Sequence, residues 1–405
     1  MQEIVVACVQ LRIRLPQDRE ELEQHLLRFG NLAQTKRARL LIFPQYSGLM
    51  AAALVTTGAR SGLLRQADQA RRSNASFWSR TQARLAGGAA SVLGADFGKA
   101  LEGALIQRPD EVREAVTSLF SSIARHHGMT VVAGSAYLQD ADGAVRHIAL
   151  VFGPDGQQLG AQAAVTLRRD ENPLVEAGKT WQAIDTPVGR LGILLGYDMF
   201  YPEAGRALAY AGAEALIGLG ATTRPAVVAR QRHGLLARVE DNQLFGAMSF
   251  AVGYNPFTPA DQEPYLGRSL LAAPTSLTPR FTGILVEMGA DSTEGLITAE
   301  WNYETMRTLW TEDDPPIRSA MPVASFSPAL SVLYNSGLTI SRTLQIEAKP
   351  PPKTIGMYTP HEALPEPLPV PEDESALDEP QTEHPVADDY IHPHQREQGD
   401  DSTSS

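Results

Sequence analysis

The sequence predicts an α/β fold, and three observations predict it. Short continuous apolar runs recur along the chain, at 40–43, 191–195 and 213–220 among others, the pattern of strands buried on both faces. Segments with helical periodicity lie between them, such as 20–39 and 112–127. In the stretch 187–212, PVGRLGILLGYDMFYPEAGRALAYAG, the two patterns meet in one unit. The run 191–195 is a strand, Gly196-Tyr197-Asp198 turns the chain, and Tyr201-Pro202-Glu203 opens a helix. Pro sits near the first helical turn, and Glu where the positive helix end favours an acid. Strand, tight turn and helix make an elbow, the geometry that presents a nucleophile beside free backbone N–H groups. A Ser or Cys belongs at such a turn, yet the residue here is Gly196.

A chain of 405 residues is ample for a sizeable core, and it fits one large α/β domain with tails as well as two or three average domains. The single Cys8, in VVACVQL, excludes an intramolecular disulfide and points to a reducing compartment. Residues 4–9 lack the basic region and cleavage site of a signal peptide, and no apolar run reaches the roughly 18 residues of a membrane span. The expectation is a soluble, cytoplasmic protein. The net charge of −12 arises in one place: residues 361–405 carry 13 Asp and Glu against only Arg396, and the remaining 34 basic and 34 acidic residues cancel. A near-neutral body gives no argument for nucleic-acid binding.

Taken in order, residues 3–11 read as a buried first strand, and 20–39 as a helix carrying Leu22, Leu26, Leu27, Phe29 and Leu32. The second strand, 40–45, ends in Phe43-Pro44-Gln45 and is followed by Tyr46. Residues 49 to about 112 read as a helical insertion. Within it, 51–85 contains Arg60, Arg65, Arg71, Arg72, Arg80 and Arg84 against only Asp68, and Val92, Leu93, Phe97, Leu101 and Leu105 follow at roughly helical spacing. Such a segment packs on the body and covers a pocket mouth; the alternative is a docking surface for an acidic partner or a membrane. A helix over 112–127, a strand over 129–137 and a strand over 145–152 come next, the last entering the turn Gly153-Pro154-Asp155-Gly156, a hairpin signal. Beyond the elbow lie a strand at 213–220, a helix at 230–242, a strand at 245–253 and a closing strand at 296–301, with Arg307 on the helix after it.

The tail begins near Lys349, and 11 of the 28 prolines lie in 349–405 among Glu, Asp, Ser and Gln. That composition cannot bury enough apolar surface to offset the entropy of ordering, so disorder is expected. His384, His392 and His394 read as solvated tail residues rather than metal ligands, and no metal or cofactor is expected.

Gly189-Arg190-Leu191-Gly192, Tyr197-Asp198, Tyr201-Pro202-Glu203 and Gly212-Ala213-Glu214 form a long ordered set. Gly178 and Asp185-Thr186 precede it; Arg238-Val239-Glu240-Asp241-Asn242-Gln243 and Leu266-Gly267-Arg268-Ser269 follow. The set resembles the nitrilase (carbon–nitrogen hydrolase) superfamily over about residues 1–345, interrupted by the insertion. The resemblance implies a four-layer α-β-β-α sandwich of two stacked sheets within a domain of residues 1–348, pairing into a homodimer through the helices beside the elbow.

It also implies a Glu-Lys-Cys triad, and each of the three positions is substituted. Gly196 stands for the Cys. Gln45 stands for the Glu that takes the thiol proton, and an amide cannot take up a proton at neutral pH. Ala164, in Ala164-Val165-Thr166-Leu167, stands for the Lys within a residue or two of register, with Arg168 and Arg169 as nearby cations. Glu171 and Glu176 fall where members carry a further acid. Tyr46, Glu171, Tyr197 and Asp198 are expected pocket residues. Arg238, Glu240 and Asn242 are expected to form a structural polar network, because buried polar side chains must be paired.

With all three roles vacated together, the reading is a pseudoenzyme that binds a small amide, nitrile or carboxylate ligand as a regulatory or scaffold module. Two alternatives stand beside it, since a fold alone does not fix function. One is a C–N hydrolase working through other groups such as Asp198, Glu171 or an Arg. The other is a partner- or membrane-docking protein acting through the basic insertion. Cys8 is no substitute nucleophile, because it lies within the first strand rather than at its end.

Overall fold

Alternation along the strands decides the architecture. The computed structural model describes residues 3–56, 97–169, 171–253, 264–314 and 317–335. Its first half runs β1 (Glu3–Arg12), α1 (Arg19–Thr35), β2 (Ala38–Ile42), α2 (Ser47–Ala52), α3 (Phe97–Gln107), α4 (Pro109–His127), β3 (Thr130–Gln139), β4 (Val145–Phe152), β5 (Gln158–Ala163) and β6 (Val175–Glu176). The second runs β7 (Ala183–Thr186), β8 (Gly189–Leu195), α5 (Pro202–Tyr210), β9 (Ala215–Gly220), α6 (Pro225–Asn242), β10 (Phe245–Val252), β11 (Leu270–Ala272), β12 (Ile284–Glu287), β13 (Gly295–Asn302), α7 (Tyr303–Glu312) and α8 (Val323–Asn335).

Two sheets result. One has the order β5-β4-β3-β2-β1-β13, with β6 alongside the start of β4. The other has the order β7-β8-β9-β10-β11-β12. Among the described residues they join only where β1 runs parallel to β10, at Leu11 with Ala251 and Arg12 with Val252. Side chains of a strand alternate between faces, so each sheet sends one set inward and one outward. Ile4, Val6 and Cys8 of β1, Leu40 and Ile42 of β2, and Ile193, Ile217 and Ala247 of the second sheet share one core between the sheets. The other face of the first sheet, with Ala7, Val9 and Leu41, packs on Leu22, Leu26 and Phe29 of α1 and on Val116, Phe120 and Ile123 of α4. The other face of the second sheet, with Leu194, Leu216 and Met248, packs on Leu208 of α5 and on Leu235 and Val239 of α6. The order is therefore helices, sheet, sheet, helices: the four-layer α-β-β-α sandwich. Each Leu, Ile or Phe fully buried in these layers contributes roughly 1.5–3 kcal/mol relative to exposure.

Several boundaries differ from the sequence expectation. The helix expected over 20–39 stops at Thr35, because Arg37 takes a left-handed φ of 57°. The strand after it spans Ala38–Ile42, so Phe43, Pro44 and Gln45 lie beyond its end rather than within it. All six residues of α2 are buried, and Leu49, Met50, Ala51 and Ala52 belong to the outer core of the first sheet. The helices expected from 112 and 230 begin earlier, at Pro109 and Pro225. Proline fits the first helical position because its missing N–H would be unpaired there anyway. β5 ends at Ala163, so Ala164-Val165-Thr166-Leu167 lies in the loop after it. The arginines at 60, 65, 71, 72, 80 and 84 and the tail of 349–405, with His384, His392 and His394, lie outside the described residues.

Residues 1–327 form one compact unit and 328–405 a second. The second is described only to residue 335, the end of α8, where Val332 and Tyr334 are exposed. No helix among the described residues is long and apolar enough to cross a membrane.

Candidate functional site

β8 ends at Leu195, and Gly196–Phe200 follows as a single 3-10 turn leading into α5. Gly196 takes a φ of 52°, in the left-handed region that costs other residues roughly 1–2 kcal/mol. The end of β2 delivers Gln45 to the same place. A Cβ on Gly196 would stand 3.3 Å from Gln45 Nε2 and 3.6 Å from its Oε1. The amide of Gln45 therefore faces the point from which a nucleophilic side chain would project.

α6 closes the site from the outer side. Gly234 lets it approach the elbow, since a Cβ there would lie 2.3 Å from the Met199 carbonyl oxygen. That approach brings Gln231 Nε2 to donate to the Gly196 carbonyl at 3.2 Å. Gln45 is 2% exposed and Gln231 1% exposed, and the Oε1 of each has no hydrogen-bond partner among the described residues. A buried acceptor left unsatisfied costs about 1–3 kcal/mol. Two such oxygens flank one glycine.

Asp198 ties the elbow to the loop after β5. Its buried carboxylate accepts from Thr166 Oγ1 (2.6 Å), the Thr166 N–H (2.8 Å), the Val165 N–H (3.2 Å) and the Leu195 N–H (3.4 Å). Burial raises its pKa, against the opposing pull of these hydrogen bonds. Ala164, one residue before that contact, is buried in the core between the sheets, and its N–H donates to the His147 carbonyl at 2.8 Å. Gln45, Ala164 and Gly196 thus present an amide, a methyl group and a bare Cα.

An aromatic wall stands next to Gln45. Tyr46 takes a φ of 68°, a strained conformation costing of order 1 kcal/mol for a non-glycine residue. Its ring stacks on His147 at 4.8 Å and lies 6.1 Å from Tyr137 and 6.3 Å from Tyr265. Its N–H donates to Ser135 Oγ at 3.0 Å, and the Ser135 hydroxyl is hydrogen-bonded to His147 Nε2 at 2.7 Å. Burial pushes the His147 pKa down to about 4; Glu171 opposes the shift and Arg168 adds to it. Tyr137 donates to Glu171 at 2.5 Å, and burial holds its hydroxyl well above the usual tyrosine range.

At the outer edge, Arg224 Nη2 donates to the Tyr197 hydroxyl at 2.8 Å, and the Arg230 guanidinium lies 5.6 Å from the centre of the Phe200 ring. Arg238, Glu240 and Asn242 act as separate anchors rather than joining side chain to side chain. Arg238 pairs with Asp241 at 3.4 Å, Glu240 accepts from the N–H and hydroxyl of Thr275, and Asn242 Nδ2 donates to the Arg238 carbonyl. Cys8 lies within β1, with Sγ donating to the Met248 carbonyl at 3.4 Å, and burial pushes its thiol up to about 12.

Gln231, Ser135, His147 and Arg224 were not singled out from sequence. Gln231 had a readable signal: it interrupts the apolar stripe of Val227, Leu235 and Val239 at helical spacing. Ser135 and His147 likewise interrupt the apolar strands TVVAGSAYLQ and VRHIALVF.

A family model described as carbon-nitrogen hydrolase matches residues 5–309. A Bacillus subtilis protein called probable hydrolase YhcX is 26% identical over 204 residues, 50% of this chain and 39% of the relative. Omega-amidase NIT2-B of Xenopus laevis is 31% identical over 146 residues, 32% of this chain and 50% of the relative. The chain thus spans half or less of the length of these curated relatives. The crystal structure of a carbon-nitrogen hydrolase from Helicobacter pylori shares the fold, with a TM-score of 0.57 at 17% identity over 81% of this chain and 98% of that one. So does a double mutant, Glu to Gln and Cys to Ala, of the amidase from Nesterenkonia sp. AN1 in complex with acrylamide. Its TM-score is 0.53 at 18% identity, covering 81% of this chain and 97% of that one.

Proposed function

The chain belongs to the carbon–nitrogen hydrolase family, and we propose that it is a catalytically inactive member that binds a small polar ligand in the pocket at the elbow. One observation carries the reading: Gln45 Nε2 stands 3.3 Å from where a Cβ on Gly196 would be. The base position and the nucleophile position meet, and neither side chain can do the chemistry. Acyl transfer by a thiol needs a nucleophile, a base to ionise it and donors for the oxyanion. Backbone N–H groups at the elbow serve only the last of these.

Nearby carboxylates are poor replacements. Asp198 is occupied by four donors, and Glu171 accepts from Tyr137. Binding is favoured instead by the buried oxygens of Gln45 and Gln231, which lack donors among the described residues and which a ligand N–H would satisfy. The Nesterenkonia amidase carrying Gln for Glu and Ala for Cys is in complex with acrylamide, so that protein binds an amide with both residues replaced. The same reading takes the protein to be a cytoplasmic homodimer paired through α5 and α6, whose binding state is passed to partners.

The test is thermal stability of the full chain against small amides and ureas. Ligand at 100 times its Kd stabilises the folded state by about 2.7 kcal/mol. The melting temperature should rise with ligand in the wild type and not in Gln45→Leu. A rise that is unchanged in Gln45→Leu would place binding elsewhere and refute the proposal.

A further inference from the structure

We propose that α8 is a membrane-surface helix, which lays an apolar stripe into the outer layer of an uncharged, loosely packed lipid bilayer. The inference is independent of the elbow and its pocket.

Residues 319–341 contain no Asp, Glu, Lys, Arg or His, in a chain of which 20% is charged. α8, VASFSPALSVLYN, lies within that stretch. Residues three and four apart share one face of a helix. Val323, Phe326, Leu330 and Tyr334 follow at that spacing and form an apolar stripe. Ser327, Ser331 and Asn335 form a polar stripe beside it, along which Asn335 Nδ2 donates to Ser331 Oγ at 2.9 Å. Val332 lies on the opposite side. The four residues of the apolar stripe are all exposed, from 45% at Leu330 to 58% at Tyr334. A helix of 13 residues with Pro328 in its interior is marginal in water unless an apolar face is covered. The stripe therefore calls for a cover.

Charge and area select lipid as that cover. A charged partner, including the acidic stretch 361–405 of the chain itself, finds no counter-charge anywhere in 319–341. At the observed exposures the four stripe residues offer on the order of 400 Å², about half of the ~800 Å² that each partner of a stable protein complex buries. A bilayer sets no such minimum, because it takes up an amphipathic helix in proportion to its apolar area. At 1.5 Å per residue α8 is about 20 Å long, short of the roughly 30 Å hydrocarbon core, so it lies in the surface rather than across it. Its serine and asparagine side chains then stay at headgroup level, where hydroxyls and amides find partners. With no Lys or Arg the helix gains nothing from anionic lipid. Its binding depends instead on gaps between acyl chains, which curvature and unsaturation enlarge.

The experiment is flotation of the full chain with small, highly curved vesicles of unsaturated phosphatidylcholine, and with large vesicles of saturated phosphatidylcholine, each at low and high salt. The wild type should float with the curved vesicles, equally at both salt levels, and remain behind with the large ones. Phe326→Ser with Leu330→Ser should reduce the bound fraction at least about tenfold, with an unchanged melting temperature because both side chains are exposed. Ser327→Gln with Ser331→Gln, on the polar stripe, should keep the binding. A wild type that ignores the curved vesicles, or a Phe326→Ser, Leu330→Ser variant that floats as well as the wild type, would overturn the proposal. So would flotation that requires anionic lipid and disappears at high salt. A wild type that stays in solution as a dimer which the Phe326→Ser, Leu330→Ser variant dissociates would overturn it too, and would assign the stripe to a second copy of the chain.

Discussion

Acidification should destabilise the protein through His147, and replacing that residue should remove the effect. His147 is stacked on Tyr46, hydrogen-bonded through Nε2 to Ser135, and 1% exposed. Tyr137 also packs on it, with Glu171 favouring its charged form and Arg168 opposing it. Burial lowers its pKa from 6.5 to about 4 in the folded state. At pH 7.5 the ring is neutral whether folded or unfolded, so it costs nothing. Below 6.5 the unfolded chain takes up a proton that the folded protein refuses, and stability falls until the folded ring titrates. At 1.36 kcal/mol per unit, the full loss is about 3 kcal/mol, of which about 2 is reached by pH 5.

Phenylalanine at 147 keeps an aromatic ring over Tyr46 but cannot hydrogen-bond Ser135. It should cost on the order of 1 kcal/mol at pH 7.5, and from there to pH 5 it should lose about 2 kcal/mol less stability than the wild type. His25 and His127, whose pKa values burial also lowers, contribute equally to both proteins and cancel in the difference. Urea denaturation at a series of pH values measures it. Parallel stability profiles for wild type and His147→Phe would refute the buried, neutral histidine.

Three further outcomes follow from the same reasoning. Gly196→Ala should destabilise by about 1–2 kcal/mol in denaturant unfolding, because a Cβ meets both a left-handed backbone and the Gln45 amide; a neutral result would mean the turn relaxes. Deleting residues 349–405 should leave the melting temperature unchanged, as the composition of the tail gives it little to bury, and a drop of several degrees would show that it packs. Replacing Arg65, Arg71, Arg72 and Arg80 with Gln should abolish salt-sensitive binding to anionic vesicles in a co-sedimentation assay, whereas binding indifferent to salt and to these changes would assign that segment no electrostatic role.

The strands were legible because burial on both faces writes a continuous apolar run, as at 191–195 and 215–220. The elbow was legible because strand, Gly196 and Pro202 follow one another in the chain, each acting on its own neighbours. The end of α1 was not, since the left-handed turn at Arg37 sits on a residue type that seldom signals one. Gln45 and Gly196 could be marked one by one, but their meeting depends on how two sheets stack, a relation between residues 151 positions apart. The aromatic wall is harder still. Tyr46, Tyr137, His147 and Tyr265 come from four separate segments, and nothing local to any of them announces the other three. Gln231 was hidden by a different fact: a single polar residue in an apolar helical stripe is readable, but the carbonyl it serves is not.

The most direct measurement is turnover by the purified wild-type chain on a panel of amides, nitriles and N-carbamoyl compounds, repeated with the Cys8→Ala variant. An inert elbow predicts rates at background in every case, since loss of the nucleophile alone typically removes about a millionfold in turnover. Turnover well above background that survives loss of Cys8 would contradict it, because another group would then be doing the work assigned to none.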